Sequence, residues 1–482
     1  MPIGSEGSSG QLRELADRMF SRAAGAALIG GNQVRLLEDG RENYSAWLAA
    51  IRSAKKRVHF ENYFVQEDEV GLEFAEAFAE RAREGAEVRI LYDWFGGTRK
   101  ASRAFWRRLR AAGVEVRVHN PPGFSSPHGW LSRDHRKTLI VDDAVGFVSG
   151  LCVGRVWLGD PTRNLPPWRD TGVEIRGPAV AEVARAFARN WGLAGSPLPE
   201  SDVTIDPLPA GDVSLRIVSS EPATASMLRL DQLVASIARR RLWLTDAYYS
   251  GISSYVQALR AAARDGVDVR LLVPHATDIP FLKPFSRAGY RSLLDAGVRI
   301  FEWNGSMLHA KTAVADCRWA RVGSTNLNAA SWLGNWELDA VIEDTAFATR
   351  MEELYLRDLA NSTEVVLDAR RRLCAPGQLP RPRGTMKGAP GSAGAVAAGA
   401  LRIGNTVGTV LTNRRELGPV EWSLMSRVGL ALCSLSVLAA LFPRALAYPA
   451  AALGLWVGLA LLGRAIRLRR GPSSSPPVDS VR

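Results

Sequence analysis

The sequence predicts an α/β protein of two similar lobes related by a pseudo-two-fold axis, followed by a C-terminal transmembrane helical hairpin. Three observations predict it. The octapeptide His135-Arg136-Lys137-Thr138-Leu139-Ile140-Val141-Asp142 returns 174 residues later as His309-Ala310-Lys311-Thr312-Ala313-Val314-Ala315-Asp316. The stretch before each copy repeats one order of helix, basic run, strand, helix and strand. Near the C-terminus lie two apolar runs, Val428–Phe442 and Ala445–Leu462, separated only by Pro443-Arg444.

Residues 1–30 read as a flexible Gly/Ser-rich segment (Gly4–Gly10) and a short helix carrying Leu12, Leu15 and Met19. The first lobe, 31–205, has a helix over Ala46–Ile51, the run Lys55-Lys56-Arg57, a strand over Val58–Phe64, a helix over Leu72–Arg83 and a strand over Val88–Tyr92. The second lobe, 206–374, repeats it with Leu233–Ile237, Arg239-Arg240-Arg241, Leu242–Tyr248, Tyr255–Arg264 and Val269–Val273. Each lobe then continues through a helix and a short strand (Val114–Val118; Val298–Phe301) to its octapeptide. Alternating short apolar strands and helices predict a largely parallel sheet. Apolar and β-branched residues after each Lys predict that the octapeptide is itself a strand. Its His and Lys, two apart, then share one face. A repeat of this kind brings one His from each lobe to the interface between them.

The chain of 482 residues carries a net charge of +12. It holds six His and, among 61 basic residues, only seven Lys, so two His-x-Lys pairs in matching frames are not a compositional accident. Four Cys without metal or disulfide spacing predict a reducing compartment. Glu6, Glu14 and Asp17, with no long apolar core beside them, argue against a cleaved signal peptide. Residues 375–400 are rich in Pro, Gly and Ala and read as a flexible linker. From 401 onward ten Arg face only Glu416, Glu421 and Asp479. The basic juxtamembrane segment 401–427, the hairpin 428–463 and the basic tail 464–482 therefore predict an anionic membrane surface rather than nucleic acid as partner. The runs of 15 and 18 residues are short against the ~20 of a full span, so a re-entrant hairpin remains an alternative. Arg427 before them and Arg464, Arg467, Arg469 and Arg470 after them predict both ends, and the lobes, on the cytoplasmic side of the cell (inner) membrane.

The two His-Lys pairs suit phosphoryl chemistry. A phosphodiester anion repels nucleophiles, so its attack needs a nucleophile, an acid for the departing oxygen and cations for the developing charge. Two imidazoles and two ammonium groups supply all three with no metal or cofactor. Past Asp316 and six further residues stands Gly323-Ser324-Thr325-Asn326-Leu327-Asn328; the first copy has Ser149-Gly150-Leu151-Cys152 in the same place, with Cys where Asn is expected. These motifs resemble the phospholipase D superfamily. Phe60-Glu61-Asn62-Tyr63-Phe64, Trp168-Arg169-Asp170-Thr171-Gly172-Val173 and Leu244-Thr245-Asp246-Ala247-Tyr248-Tyr249 look like segments of its bacterial cardiolipin synthases.

The resemblance implies a catalytic set of His135, Lys137, Asp142, His309, Lys311 and Asp316. His135 is the implied nucleophile and His309 the implied acid. Asp142 and Asp316, at the strand ends, suit turn or inter-lobe hydrogen bonds. Ser324 and Asn326 are implied substrate contacts. Asp170 and Glu337 are implied to orient the imidazoles in crossed fashion, Asp170 with His309 and Glu337 with His135. His128 is a weaker candidate for touching substrate. Glu61 and Asp246, read as equivalent positions, are candidates for lining the pocket. His59, His119 and His275 read as structural, and Lys55-Lys56-Arg57 as a solvated helix end. The function implied is a phosphatidyltransferase joining two phosphatidylglycerol molecules into cardiolipin and glycerol through a phosphohistidine, with anionic phospholipid and membrane as partners and no protein or nucleic acid partner. The alternatives are a phospholipase D or phosphodiesterase using water, or an inactive membrane scaffold.

Overall fold

The computed structural model describes residues 5–122, 132–279, 286–367 and 373–374, with isolated positions between 430 and 459. The chain divides into two compact units, 1–120 with 132–413, and 121–131 with 414–482. The fold described here is that of the first. The expected linker lies outside the described residues, and so, isolated positions apart, does the expected hairpin. Among the described residues no helix is long and apolar enough to cross a membrane.

In chain order the strands are β1 (Ile29–Glu38), β2 (Arg57–Asn62), β3 (Glu87–Asp93), β4 (Glu115–His119), β5 (Lys137–Val141), β6 (Val145–Ser149), β7 (Thr171–Arg176) and β8 (Val213–Ser220). They continue as β9 (Arg241–Thr245), β10 (Asp268–Pro274), β11 (Arg299–Trp303), β12 (Thr312–Ala315), β13 (Trp319–Gly323), β14 (Glu337–Ile342), β15 (Ser362–Leu367) and β16 (Leu373–Cys374). All join one sheet in the order β16-β15-β11-β10-β9-β12-β13-β14-β8-β1-β7-β6-β5-β2-β3-β4. From the central β8–β1 contact outward the two halves run through matching strands, as a two-fold relation requires.

The expectation of a largely parallel sheet is corrected. Only β2–β3, β3–β4, β9–β10 and β10–β11 are parallel; the other pairings are antiparallel. Helices Glu69–Arg83 and Arg103–Ala111 cross over between the parallel strands of the first half. The short link between β5 and β6 is a hairpin, which permits only antiparallel pairing. The apolar runs of these inner strands, buried on both faces, looked parallel in the sequence because burial erased the alternation.

Three large apolar clusters are formed by the described residues of the unit. One lies within the first half around Trp47, Phe60, Phe74 and Phe147, and one within the second around Leu230, Leu244, Tyr255 and Trp332. The third joins Val173, Ile175, Phe187 and Trp191 to Ile217, Leu338, Phe347 and Met351, so the halves share a core. The N-terminal helix, Ser5–Ala24, is longer than expected and runs through the Gly/Ser-rich stretch. Its last turns are held by Arg216, which pairs with Asp17 and faces the Phe20 ring at 5.6 Å.

Candidate active site

The octapeptides deliver their residues differently from a simple strand. β5 begins only at Lys137 and β12 only after Lys311, so both His lie just before the strands. Their backbones pair across to the other half instead. His135 N–H donates to Trp336 O at 2.9 Å, and His309 N–H donates to Arg169 O at 2.7 Å. Each His is thus pinned beside the residue that precedes an orienting carboxylate of the opposite half. His135 Nδ1 lies 2.9 Å from Glu337 Oε2, and His309 Nδ1 lies 2.7 Å from Asp170 Oδ2. A carboxylate only accepts, so each Nδ1 carries the proton and each Nε2 keeps its lone pair.

Both carboxylates are buried and further held. Asp170 also accepts Trp157 Nε1–H at 2.9 Å and Thr171 N–H at 2.9 Å. Glu337 accepts the Ser324 hydroxyl at 2.6 Å and the Asn335 amide at 3.2 Å. Burial pushes Asp170 up, but the His309 ring and its hydrogen bond bring it down to about 2. Glu337 is likewise lowered, His135 overcoming its burial.

Burial, reinforced by the Lys311 ammonium, holds His309 down at about 3 against the pull of Asp170. His135 is lowered by burial, with Glu337 opposing. Both resting imidazoles are therefore neutral, and an anion bound between the lysines would add charge that favours a proton on one ring. Lys137 and Lys311 each donate to the carbonyl of their own His, and Lys311 Nζ stands 2.9 Å from His309 Nδ1. Burial lowers both lysines, Lys311 to about 8.

Several sequence expectations need correction. Asp142 and Asp316 do not join the histidines. Each stands at the far end of its strand in a tight turn whose two central residues have positive φ, Asp142-Asp143 at 51° and 59° and Asp316-Cys317 at 51° and 54°. That is the signature of the type I′ hairpin turn. Asp142 accepts the backbone N–H groups of Lys55, Lys56 and Arg57, and Asp316 those of Arg239, Arg240 and Arg241, at 2.7–2.9 Å. Motif aspartate and basic run recur together because one caps the other, and these bonds lie within a lobe rather than between lobes. Ser324 is turned to the protein: its hydroxyl donates to Glu337, and its oxygen accepts Leu338 N–H at 3.0 Å. Asn326 is buried, and its Oδ1 has no partner among the described residues. His128 lies outside the described residues.

Glu61 and Asp246 are not equivalent. Glu61 faces Thr138, whose counterpart Thr312 faces Thr245. Glu61 is buried against Asn190 at 2.8 Å, whereas Asp246 accepts Leu327 N–H at 2.8 Å and is pushed up to about 6 by burial. His59 stacks on Phe187 and His119 packs edge-on against Trp336.

Sequence reasoning missed the aromatic walls. The rings of Tyr63 and His135 lie 5.3 Å apart, and those of Tyr248 and His309 5.9 Å apart. Trp157 and Trp168 close the His309 side at 5.6 and 5.7 Å. Arg136, fully buried, was missed as well. It donates to Glu337 O at 3.2 Å, Ala186 O at 2.9 Å and Ser219 Oγ at 2.7 Å, bracing Glu337 from the opposite lobe. A charged residue between the His and Lys of the first motif, where the second copy has Ala310, was the available signal.

Residues 47–155 and 234–359 match the family described as cardiolipin synthase, PLD-like domain. The chain is 31% identical over 340 residues to a cardiolipin synthase of Alkalihalophilus pseudofirmus, spanning 69% of this chain and 67% of that one. It is 34% identical over 347 residues to cardiolipin synthase A of Pseudomonas fluorescens, spanning 70% of each. Against cardiolipin synthase A of Pseudomonas aeruginosa the identity is 35% over 354 residues, spanning 71% of this chain and 70% of that one. Among solved structures, the phosphatidylserine synthase of Haemophilus influenzae shares the fold, with TM-score 0.59 at 16% identity over 72% of this chain and 91% of that one.

Proposed function

The chain belongs to the cardiolipin synthase family of phospholipase D-like proteins, and from that premise we propose how this phosphatidyltransferase works. His135 attacks the phosphorus of one phosphatidylglycerol and becomes the phosphohistidine. His309 protonates the departing glycerol, then takes the proton of the incoming glycerol hydroxyl of a second phosphatidylglycerol. That oxygen displaces His135 and yields cardiolipin. Lys137, Lys311 and the Asn326 amide hold the non-bridging oxygens; Glu337 and Asp170 fix the rings.

The observation that carries this reading is the crossed pairing, at 2.9 and 2.7 Å, of each His with the carboxylate of the other half. Each imidazole is oriented by a carboxylate of the other half, so neither half holds its own histidine alone, which supports a single shared site. The more enclosed His309, with side-chain exposure of 7% against 13% for His135 and three aromatic rings around it, suits the acid–base role.

The lobes at 31–205 and 206–374 are proposed as one catalytic body, tethered by the hairpin 428–463 to the cytoplasmic face of the inner membrane. Purified protein in phosphatidylglycerol vesicles should release one glycerol per cardiolipin formed. Phosphatidic acid as the product, with no cardiolipin, would assign the chain to hydrolysis instead. A reporter fused after Arg482 should be found in the cytoplasm; its appearance outside would overturn the two-pass hairpin.

A further inference from the structure

The first half carries a buried ionic cluster whose counterpart in the second half is uncharged. Glu61 in β2, Asp134 just before His135 and Arg136 just after it are all fully buried. The matching places in the second half hold Thr245, Leu308 and Ala310. All three charged residues therefore stand beside one histidine, and the transfers proposed for the reaction use none of them.

Their hydrogen bonds leave one donor missing. Glu61 Oε1 accepts the Asn190 amide at 2.8 Å and lies 4.0 Å from Arg136 Nη1, and Oε2 accepts the Thr138 hydroxyl at 3.3 Å. Asp134 Oδ1 accepts Arg136 N–H at 3.4 Å, whereas Oδ2 is buried and has no donor among the described residues. The two carboxyls lie within hydrogen-bond reach of each other. Carboxylates only accept, so a bond between them needs a proton. Charge leads to the same count. Asp93, which holds the Asp134 backbone, is met by Arg133 at 3.3 Å. Among the described residues that leaves Arg136 to face both Glu61 and Asp134. One cation balances one anion, and a second buried anion is costlier than a retained proton. Burial, and after it the Glu61 carboxyl, keep Asp134 well above the ordinary carboxylate range; burial raises Glu61 too. His119, beside the same two guanidiniums, is held neutral, at about 3, by its burial.

We infer that Glu61 and Asp134 share one proton and, with Arg136, form a positioning cluster that holds His135 in line for attack on phosphorus. Asp134 N–H donates to Asp93 Oδ2 at 2.9 Å, which ties the residue before His135 to β3 of its own half. Arg136 ties the residue after it to the other half, through Glu337 O at 3.2 Å and Ser219 Oγ at 2.7 Å. The histidine is thus fixed on both flanks. With one proton the Glu61–Asp134–Arg136 cluster is neutral, so it fixes the ring without adding a field that favours an imidazolium. A histidine that carries a phosphatidyl group between two steps needs the direction of its Nε2 held. His309, which only exchanges a proton, is flanked by Leu308 and Ala310.

The test compares single and double amide variants of the full chain on phosphatidylglycerol vesicles. Glu61→Gln and Asp134→Asn each copy the protonated member of the pair and leave one anion for Arg136. Each alone should keep kcat within about threefold of wild type, the scale of one altered hydrogen bond. Together they leave the guanidinium without an anion. Then kcat should fall about 10²-fold with KM within about threefold, because His135 loses alignment rather than substrate. Rates are expressed per site that traps 32P, so loss of folded protein does not count as loss of kcat. Infrared difference spectra at mildly alkaline pH should show the same protonated-carboxyl C=O band disappearing in both single variants. Single variants as damaged as the double one, or a band that survives in either, would overturn the shared proton. If the double variant does not fold, adding Arg136→Met removes the unpaired cation and should recover most of the lost melting temperature; no recovery would overturn the cluster. The positioning role rests on the proposed nucleophile. Label trapped by His135→Ala and absent from His309→Ala would overturn that assignment and the role with it, while the infrared band would still decide the shared proton.

Discussion

The two octapeptides have nearly the same backbone and different neighbours, and the differences fall on the groups that hold the histidines. Ser149-Gly150 in the first half answers Gly323-Ser324 in the second, the same two residues in opposite order. A Cβ at Gly150 would lie 2.2 Å from Asp170 Oδ1, and one at Gly323 would lie 2.4 Å from Asp339 Oδ1. Each half therefore needs its glycine where a carboxylate crowds the backbone. The longer Glu337 reaches its His with support from Ser324; the shorter Asp170 sits against Gly150 and takes Trp157 Nε1–H instead. Arg136 braces the first motif where the second has Ala310. The repeat keeps where the imidazoles sit and lets their protonic surroundings differ, which is what the proposed division into a nucleophile and an acid requires.

The most severe way to test that division is to remove either ring. His135→Ala and His309→Ala should each lower kcat by at least the ~10²–10⁴-fold that positioned acid–base groups contribute. Only one of them should abolish 32P trapping on the protein. If both variants trap label equally, the division of roles is wrong. Next in size are the carboxylates. Asp170→Asn and Glu337→Gln present an amide that can stabilise the wrong tautomer, an effect worth up to ~10⁴-fold in a serine protease triad. Asp170→Asn should cost more, because it also disturbs the Trp157 bond. Equal losses in a steady-state assay would argue that the halves are interchangeable.

A milder change targets the swapped glycine. Gly150→Ser imposes the second half's residue on the first and should displace Asp170, costing about 10²-fold in kcat. The melting temperature is the control that separates misplacement from unfolding. The alkaline pH limb is smaller still. Burial brings Lys311 down to about 8, and its useful form is the cation, so kcat/KM should fall as pH rises through about 8, by up to about tenfold per unit. Lys311→Arg should lower the plateau and carry that limb beyond pH 10. A limb that stays in place would assign it to another group.

The parts of this site that lay in sequence order were readable there: the repeated His-x-Lys, the strand after it, and the helix–strand alternation that precedes it. Contacts made across the halves were not. Nothing local marks Trp336 O as the acceptor for His135 N–H, or Arg169 O for His309, so the histidines were assigned to strands that in fact start later. The turn role of Asp142 and Asp316 was readable from their place at the strand ends; that each caps the basic run of its own lobe, rather than bonding across the lobes, was not. The direction of the inner strands was hidden because complete burial removes the period-two signal that distinguishes an antiparallel meander.

The smallest expected effect bears on the most conspicuous departure between the halves, Cys152 in place of Asn326. Both side chains are buried, at 1% and 4% exposure. Burial pushes the Cys152 thiol up, so it stays neutral, and Tyr44 bonds its backbone carbonyl at 2.6 Å rather than its sulfur. The thiol therefore contributes neither charge nor a strong donor to the phosphate. On the proposed mechanism the amide of Asn326, in the half of His309, is then the one contact beside the two lysines that the motif pair offers the phosphate. Asn326→Cys should lower kcat/KM by about 10-fold, the loss of one hydrogen bond to a charged group. Cys152→Asn should change it by less than about threefold, because the place is already filled and the second amide finds the phosphate oxygens occupied. Steady-state kinetics on the two single variants and the double exchange decide it. If Cys152→Asn instead raises activity as much as Asn326→Cys lowers it, the two positions contact the phosphate equally, and the first half has lost a contact rather than specialised.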